Sequence, residues 1–166
     1  MRARAFVAVG SNLGAAEQNV RRAMERLEAL SVLPLRKSSL WQTTPVDCPP
    51  GAPAFVNAAV SLVPQQGETA ESLLRRLQEV EREFGRAPKK ILNEPRPLDL
   101  DLVAFGDEIR AGRELILPHP RAHQRRFVLQ PLAEIAPELV LPGQTKTVAQ
   151  LLDELLADPG MTRIRP

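Results

Sequence analysis

Leu98-Asp99-Leu100-Asp101-Leu102-Val103-Ala104-Phe105, followed by Gly106-Asp107, is the stretch from which the fold reads outward. Side chains of a strand alternate between faces, so Leu98, Leu100 and Leu102 point to one side and Asp99 and Asp101 to the other. Gly106-Asp107 is a turn signal that should fold the chain back on this strand at Ile109. Upstream, Leu73, Leu74, Leu77, Val80 and Phe84 recur at helical spacing behind Thr69, a good N-cap, with Glu71 in the first turn and Gly85 at the end. Before that helix, residues 55–63 form an apolar run bounded by Pro53 and Pro64, and residues 33–42 a weaker one. Residues 17–30 carry Val20, Ala23, Met24, Leu27 and Leu30 on one helical stripe. Residues 4–9 are a buried strand, ended by a turn over Gly10-Ser11-Asn12-Leu13-Gly14.

The resulting order is strand, helix, strand, strand, helix, strand, the ferredoxin-like split β-α-β pattern. The expected class is therefore an α+β sandwich with an antiparallel sheet. Helices over residues 126–135 and 148–156 extend it toward the C-terminus. The 166 residues suffice for one domain, 1–166, and show no repeat and no linker. Two connections rich in proline, residues 43–53 and 86–97, are longer than compact domains usually use, which marks them as candidate functional loops.

With 43% hydrophobic and 25% charged residues, a folded core is the default. The 22 basic residues are set against 20 acidic ones and form no basic tail, which is weak evidence for nucleic acid, and no nucleic-acid partner is expected. Cys48 is the single cysteine, which excludes an intramolecular disulfide and a multi-cysteine zinc site. The apolar start is too short for a signal-peptide core, and no run is long enough to span a bilayer. A cytoplasmic monomer with no membrane partner is expected.

Aspartate is disfavoured in strands, so two of them flanked by leucines need a reason. Side chains two residues apart on a strand lie roughly 6 to 7 Å from one another. That suits a pair of magnesium ions about 4 Å apart and bridged by phosphate oxygens. Magnesium accepts few carboxylates together with water and phosphate, so the pair is a credible half-site. Taken alone, Asp-x-Asp equally describes a solvated sheet face, and nucleases and glycosyl transferases share it. Arg86, Lys89, Lys90 and Arg96 lie just upstream, bringing phosphate-neutralising cations beside the carboxylates. The chain has no Walker A segment, dinucleotide fingerprint or kinase glycine loop.

Val9-Gly10-Ser11-Asn12-Leu13-Gly14, Phe55-Val56-Asn57-Ala58-Ala59-Val60, Pro95-Arg96-Pro97-Leu98-Asp99-Leu100-Asp101-Leu102, Leu117-Pro118-His119-Pro120 and Arg126-Phe127-Val128-Leu129-Gln130-Pro131-Leu132 occur in this order. Together they closely resemble the 6-hydroxymethyl-7,8-dihydropterin pyrophosphokinase family, over nearly the whole chain up to about residue 141. The resemblance implies a ferredoxin-like fold and a step of folate biosynthesis in which the pyrophosphoryl unit of ATP passes to the pterin's hydroxymethyl oxygen and AMP leaves. It further implies two Mg2+ ions held by Asp99 and Asp101, with Arg86 and Arg96 as catalytic-loop arginines. Thr43, Thr44, Val46, Phe55, Asn57 and Phe127 match pterin-binding positions. Gln78, Glu81, Arg86, Lys89, Arg96, Leu102, His119 and Arg125 match positions around ATP.

Physical chemistry agrees with the pterin assignments, since aromatic faces hold a flat heterocycle and an amide matches the donors and acceptors of an aminopyrimidinone. The chain departs from the family pattern where Asn93 stands in place of a loop tryptophan, Pro88 of an arginine, Glu94 of a glycine and Pro120 of an aromatic. Two other readings use the same features. A ferredoxin-like RNA-binding module would display aromatic residues on its sheet, and this chain has 4% aromatic residues and no tyrosine. A metal-dependent hydrolase would use the two aspartates without any pterin.

Overall fold

A computed structural model of the protein describes residues 3–43, 54–85 and 97–166. The expectations placed on Thr44, Val46, Arg86, Lys89 and Arg96 lie outside the described residues, as do those on the departures at Pro88, Asn93 and Glu94.

Strand β1 (Ala5–Ser11) alternates within a run that is almost wholly buried, as a strand with cores on both sides must. It pairs antiparallel with β4 (Phe55–Leu62) on one side and β5 (Asp99–Phe105) on the other. The sheet continues from β4 to β3 (Trp41–Thr43) and ends on β8 (Thr162–Arg163), while β2 (Arg36–Lys37) also pairs with β4. The order among the described residues is β5-β1-β4-β3-β8. It is a mixed fold of helices on an antiparallel sheet.

Helices α1 (Ala16–Glu28) and α2 (Ala70–Glu83) cover one face. Their Val20, Leu27, Leu73, Leu77 and Val80 pack on Val7, Val9, Leu98, Leu100 and Leu102. Helices α3 (Arg126–Ile135) and α4 (Val148–Glu154) cover part of the other, where Val128, Leu129, Leu132, Val148 and Leu151 meet Phe6, Ala59, Val103 and Ala104. No helix among the described residues is long and apolar enough to cross a membrane.

The start of α2 is fixed by a reciprocal cap. Thr69 Oγ1 accepts from the Ser72 amide at 3.0 Å, and Ser72 Oγ accepts from the Thr69 amide at 2.9 Å. Two donors that a helix start leaves unpaired are thereby satisfied. Thr147 and Gln150 repeat the device at α4.

Three local expectations are corrected. The first strand does not stop at Val9, because Gly10 and Ser11 still pair with Asn57 and Val56, and the turn comes at Gly14 with φ 71°. Residues 33–42 form not one strand but two short ones. Between them Ser38 leaves the ladder to give its amide to the Ala59 carbonyl at 2.9 Å and accept the Ala59 amide on its hydroxyl at 2.8 Å. Gly106 does turn the chain, with φ 58°, but its amide bonds the Arg4 carbonyl at 2.8 Å. The following β6 (Arg110–Ala111) then pairs with β7 (Ile116–Leu117) instead of folding back on β5. β8 is an addition that no sequence signal announced, two residues long and too short to show a period.

Between Phe6 and Val7 the register against β5 shifts, so that Val7 faces Leu102 while Phe6 faces Ala104. Val103 is the extra residue, and it enters the second core. Above this bulge the leucines and aspartates keep strict alternation.

Leu77 is fully buried at the centre of the first core, whereas Phe127 is 37% exposed. Urea unfolding of Leu77→Ala is expected to show a loss of about 3 kcal/mol, and of Phe127→Ala less than about 1 kcal/mol.

Candidate active site

Directly opposite residues of paired strands share a face, so the register assigns the site. Asp99 stands opposite Gly10, Gly10 opposite Asn57, and Asn57 opposite Trp41. One row further, Asp101 stands opposite Ala8 and Ala8 opposite Ala59. Both carboxylates are half-buried, while Leu98, Leu100 and Leu102 are buried on the reverse side at 0%, 4% and 4% exposure. The alternation predicted from the sequence holds. The carboxylates and Asn57 lie on one face, separated by two strand spacings or about 10 Å.

Only small side chains fill the space between them. A Cβ placed on Gly10 would lie 3.0 Å from Asn57 Oδ1, a tight contact that the amide could meet only by shifting a few tenths of an ångström. Gly10 therefore lets the amide cross close over the strand without being displaced. Asn57 is 7% exposed, and its Nδ2 donates to Thr43 Oγ1 at 3.0 Å. That bond leaves Oδ1 over Gly10 and fixes which end of the amide faces the site. Phe55 stands opposite Thr43 and is half-buried. Phe127 rises from the first turn of α3, the helix that packs on β4 and β3. The Arg125 guanidinium lies 5.5 Å from its ring centre, within cation-π range.

The other flank of Asp101 opens into a depression of about 260 Å³ between α2, β5 and the β6-β7 ribbon. Leu74, Leu100 and Leu102 form its apolar side, and Asp101, Arg113, Glu114 and His119 its polar rim. Leu102 and His119, both expected around ATP, are brought to it; Gln78 is exposed on α2 and is not among the described lining residues. Glu81 acts on the strand itself, its Oε2 accepting the Leu100 amide at 2.8 Å. The carboxylate thus satisfies an edge amide lying between Asp99 and Asp101.

His119 is tied to β5 through its amide, which donates to the Val103 carbonyl at 2.9 Å. Its Nδ1 accepts the Arg121 amide at 3.2 Å. A ring nitrogen that accepts cannot also hold a proton, so in the neutral ring the proton sits on Nε2. Burial, with Arg125 and Arg121 adding to it, lowers the imidazole pKa from its ordinary value, while Asp99 pulls the other way. The geometry and the electrostatics agree on a neutral donor.

Sequence reasoning did not find Gly10's steric role, the Arg113–Ile116 ribbon, or Asn19. Asn19 Nδ2 donates to the Leu13 carbonyl at 3.1 Å and to the Pro97 carbonyl at 3.2 Å, anchoring the entry to β5. A helix-surface asparagine carries no sign of a partner 78 residues away. Among the described residues no three of His, Cys, Asp and Glu gather as a metal cage. Two hard carboxylate donors on one face suit an ion that takes its remaining ligands from water and phosphate.

A family model for 7,8-dihydro-6-hydroxymethylpterin-pyrophosphokinase matches residues 6–137. The 2-amino-4-hydroxy-6-hydroxymethyldihydropteridine pyrophosphokinase of Haemophilus influenzae is 35% identical over 166 residues, covering 98% of both chains. The Bacillus subtilis protein of that name is 37% identical over 136 residues, 81% of this chain and 79% of its own. The Synechocystis one is 35% identical over 151 residues, 91% and 75%. A solved Plasmodium falciparum HPPK-DHPS chain superposes with a TM-score of 0.73 at 12% identity, a likeness of fold. The match covers 98% of this chain and 45% of that longer one. The chain belongs to the 7,8-dihydro-6-hydroxymethylpterin-pyrophosphokinase family.

Proposed function

We propose that this chain transfers the pyrophosphoryl unit of ATP to the hydroxymethyl oxygen of 6-hydroxymethyl-7,8-dihydropterin, releasing AMP, a step of folate biosynthesis. The observation that carries the site assignment is the row Asp99-Gly10-Asn57, which sets carboxylates and a heterocycle-reading amide on one sheet face with a small floor between them. The family membership supplies the reaction. Strand order β5-β1-β4-β3 supports the finer description of the fold as ferredoxin-like. The chain is read as a cytoplasmic monomer.

The acceptor hydroxyl oxygen attacks the β-phosphorus of ATP; the new O–P bond forms as the bond from that phosphorus to the oxygen bridging it to the α-phosphate breaks, that oxygen leaves with AMP, and the hydroxyl proton is released to solvent. Asp99 and Asp101 are the residues that would hold two Mg2+ ions. Ions bound there would supply positive charge to balance the phosphate oxygens during transfer. Arg86 and Arg96 add further positive charge, and Lys89 joins them. His119 offers Nε2–H to a phosphate oxygen without bringing a charge of its own. Leu102 lines the nucleotide's side of the strand, and Arg125, Gln78 and Glu81 are the further residues that the family resemblance assigns to ATP. On the acceptor side, Asn57 orients the pterin edge, Phe55 and Phe127 bracket its rings, and Thr43, Thr44 and Val46 close the edge. Most of the barrier is then removed by orientation and charge placement.

Asp99→Asn and Asp101→Asn are each expected to lower magnesium-dependent AMP formation by roughly 100-fold or more while leaving the melting temperature near that of the parent chain. Near-normal turnover in either variant contradicts the metal assignment. Gly10→Ala should raise the pterin KM about tenfold, because the added methyl displaces the Asn57 carbonyl oxygen. Parallel ATP titrations should be almost unchanged.

His119 gives a pH signature. Its folded pKa lies below the ordinary 6.5, so the unfolded chain takes up the proton first. The contribution to stability is complete above about pH 6.5 and is lost as pH falls below it. Melting curves between about pH 7.5 and pH 5.5 should show this loss in the parent chain and less of it in His119→Asn.

A further inference from the structure

Strand β3 is three residues long, yet it carries Thr43, the partner that orients Asn57. Its outer neighbour is the two-residue β8, and β4 is the neighbour inside. A strand this short needs another restraint. Glu134, near the C-terminal end of α3, supplies one. Its Oε1 accepts Trp41 Nε1–H at 2.7 Å, and its Oε2 accepts the Ser39 hydroxyl at 2.9 Å and the Ser39 amide at 3.2 Å.

Trp41 stands opposite Asn57 and shares its face with Thr43, two residues on. On the helix, Phe127 and Glu134 are seven residues apart, close to two full turns, and so occupy one stripe of α3. The carboxylate therefore fixes both the rotation of α3 about its axis and its separation from β3. Hydrogen bonds to a charged acceptor are stronger and shorter than neutral ones, which suits a clamp at an exposed position.

The geometry points to Glu134 as a positioning residue for the pterin: its carboxylate clamps β3 to α3 and so sets the gap between Phe127 on the helix and the Thr43-Asn57 pair on the sheet. This rests on the pterin reading of Phe55, Asn57 and Phe127 proposed above. The nucleotide depression is built from α2, β5 and the β6-β7 ribbon, which the clamp does not touch. Losing the clamp should therefore separate the two substrates.

Trp41 is the single tryptophan of the chain, so its emission reports the clamp directly. Emission is recorded without ligand. A non-hydrolysable ATP analogue with magnesium is then titrated by calorimetry, followed by hydroxymethyl-dihydropterin in its presence, for the parent chain, Glu134→Ala, Glu134→Gln and Trp41→Phe. Glu134→Ala should shift the emission and weaken pterin binding about fivefold or more, with analogue binding held within about twofold. Glu134→Gln, which keeps an acceptor oxygen, should lie between, and it decides the matter if the alanine variant does not fold. Trp41→Phe should weaken pterin binding, and combining it with Glu134→Ala should cost less than the sum of the two. A shifted emission with unchanged pterin affinity overturns the inference, and so does equal weakening of both ligands. A parent chain that binds the analogue but no pterin overturns the underlying pterin reading instead.

Discussion

The hydrogen-bonded pairing of β1 with β4 on one side and β5 on the other is the constraint on which everything else hangs. β1 contributes side chains to both cores, Val7 and Val9 to one and Phe6 to the other. Because a one-residue slip would reverse every side chain of a strand, burying both faces leaves a single register. That register carries Asp99 and Asn57 to either side of Gly10. The site is thus a by-product of core packing, and strand spacing sets the distance between Asp99 and Asn57.

Division of labour follows from the same sheet. Apolar residues on the α1-α2 side supply stability, and polar ones on the reverse side form the proposed site, with β5 serving both through alternate residues. The second core reaches only part of that reverse face, around Phe6, Ala59 and Val103. Ala8 packs at its margin, and beyond it Gly10 keeps the floor low. Small residues there cost little packing, because α3 and α4 do not need to be reached, and they leave room above the sheet for a flat ligand.

Restraints on the site come from elements remote in sequence. Glu81 satisfies the Leu100 amide from α2, Asn19 holds the Pro97 carbonyl from α1, and Glu134 binds β3 from α3. Each is a polar side chain spending its hydrogen bond on backbone or indole next to a functional residue. Such supports keep donors and acceptors oriented before a substrate arrives, which is how an active site avoids reorganisation during the reaction. His119 follows the same logic, its tautomer held by the Arg121 amide.

Periodicity in the sequence determined the main elements by itself. The stripes of α1, α2 and α3 and the alternation of β5 are local consequences of burying one side of each segment, and they were legible without tertiary information. The Asp99-Asp101 pair was legible for the same reason, and the family-specific blocks gave it a reaction. Tertiary structure alone decided the end of β1, because Gly10 and Ser11 look like a turn until Asn57 and Val56 are opposite them. It also decided that the chain after Gly106 pairs within itself, since β6 and β7 are two residues each and too short for any period. The steric demand on Gly10, the Glu81 bond to β5 and the Glu134 clamp were invisible for one physical reason. Each is a contact between segments far apart in the chain, and hydrogen bonds and close approaches of that kind leave no spacing for a sequence to display.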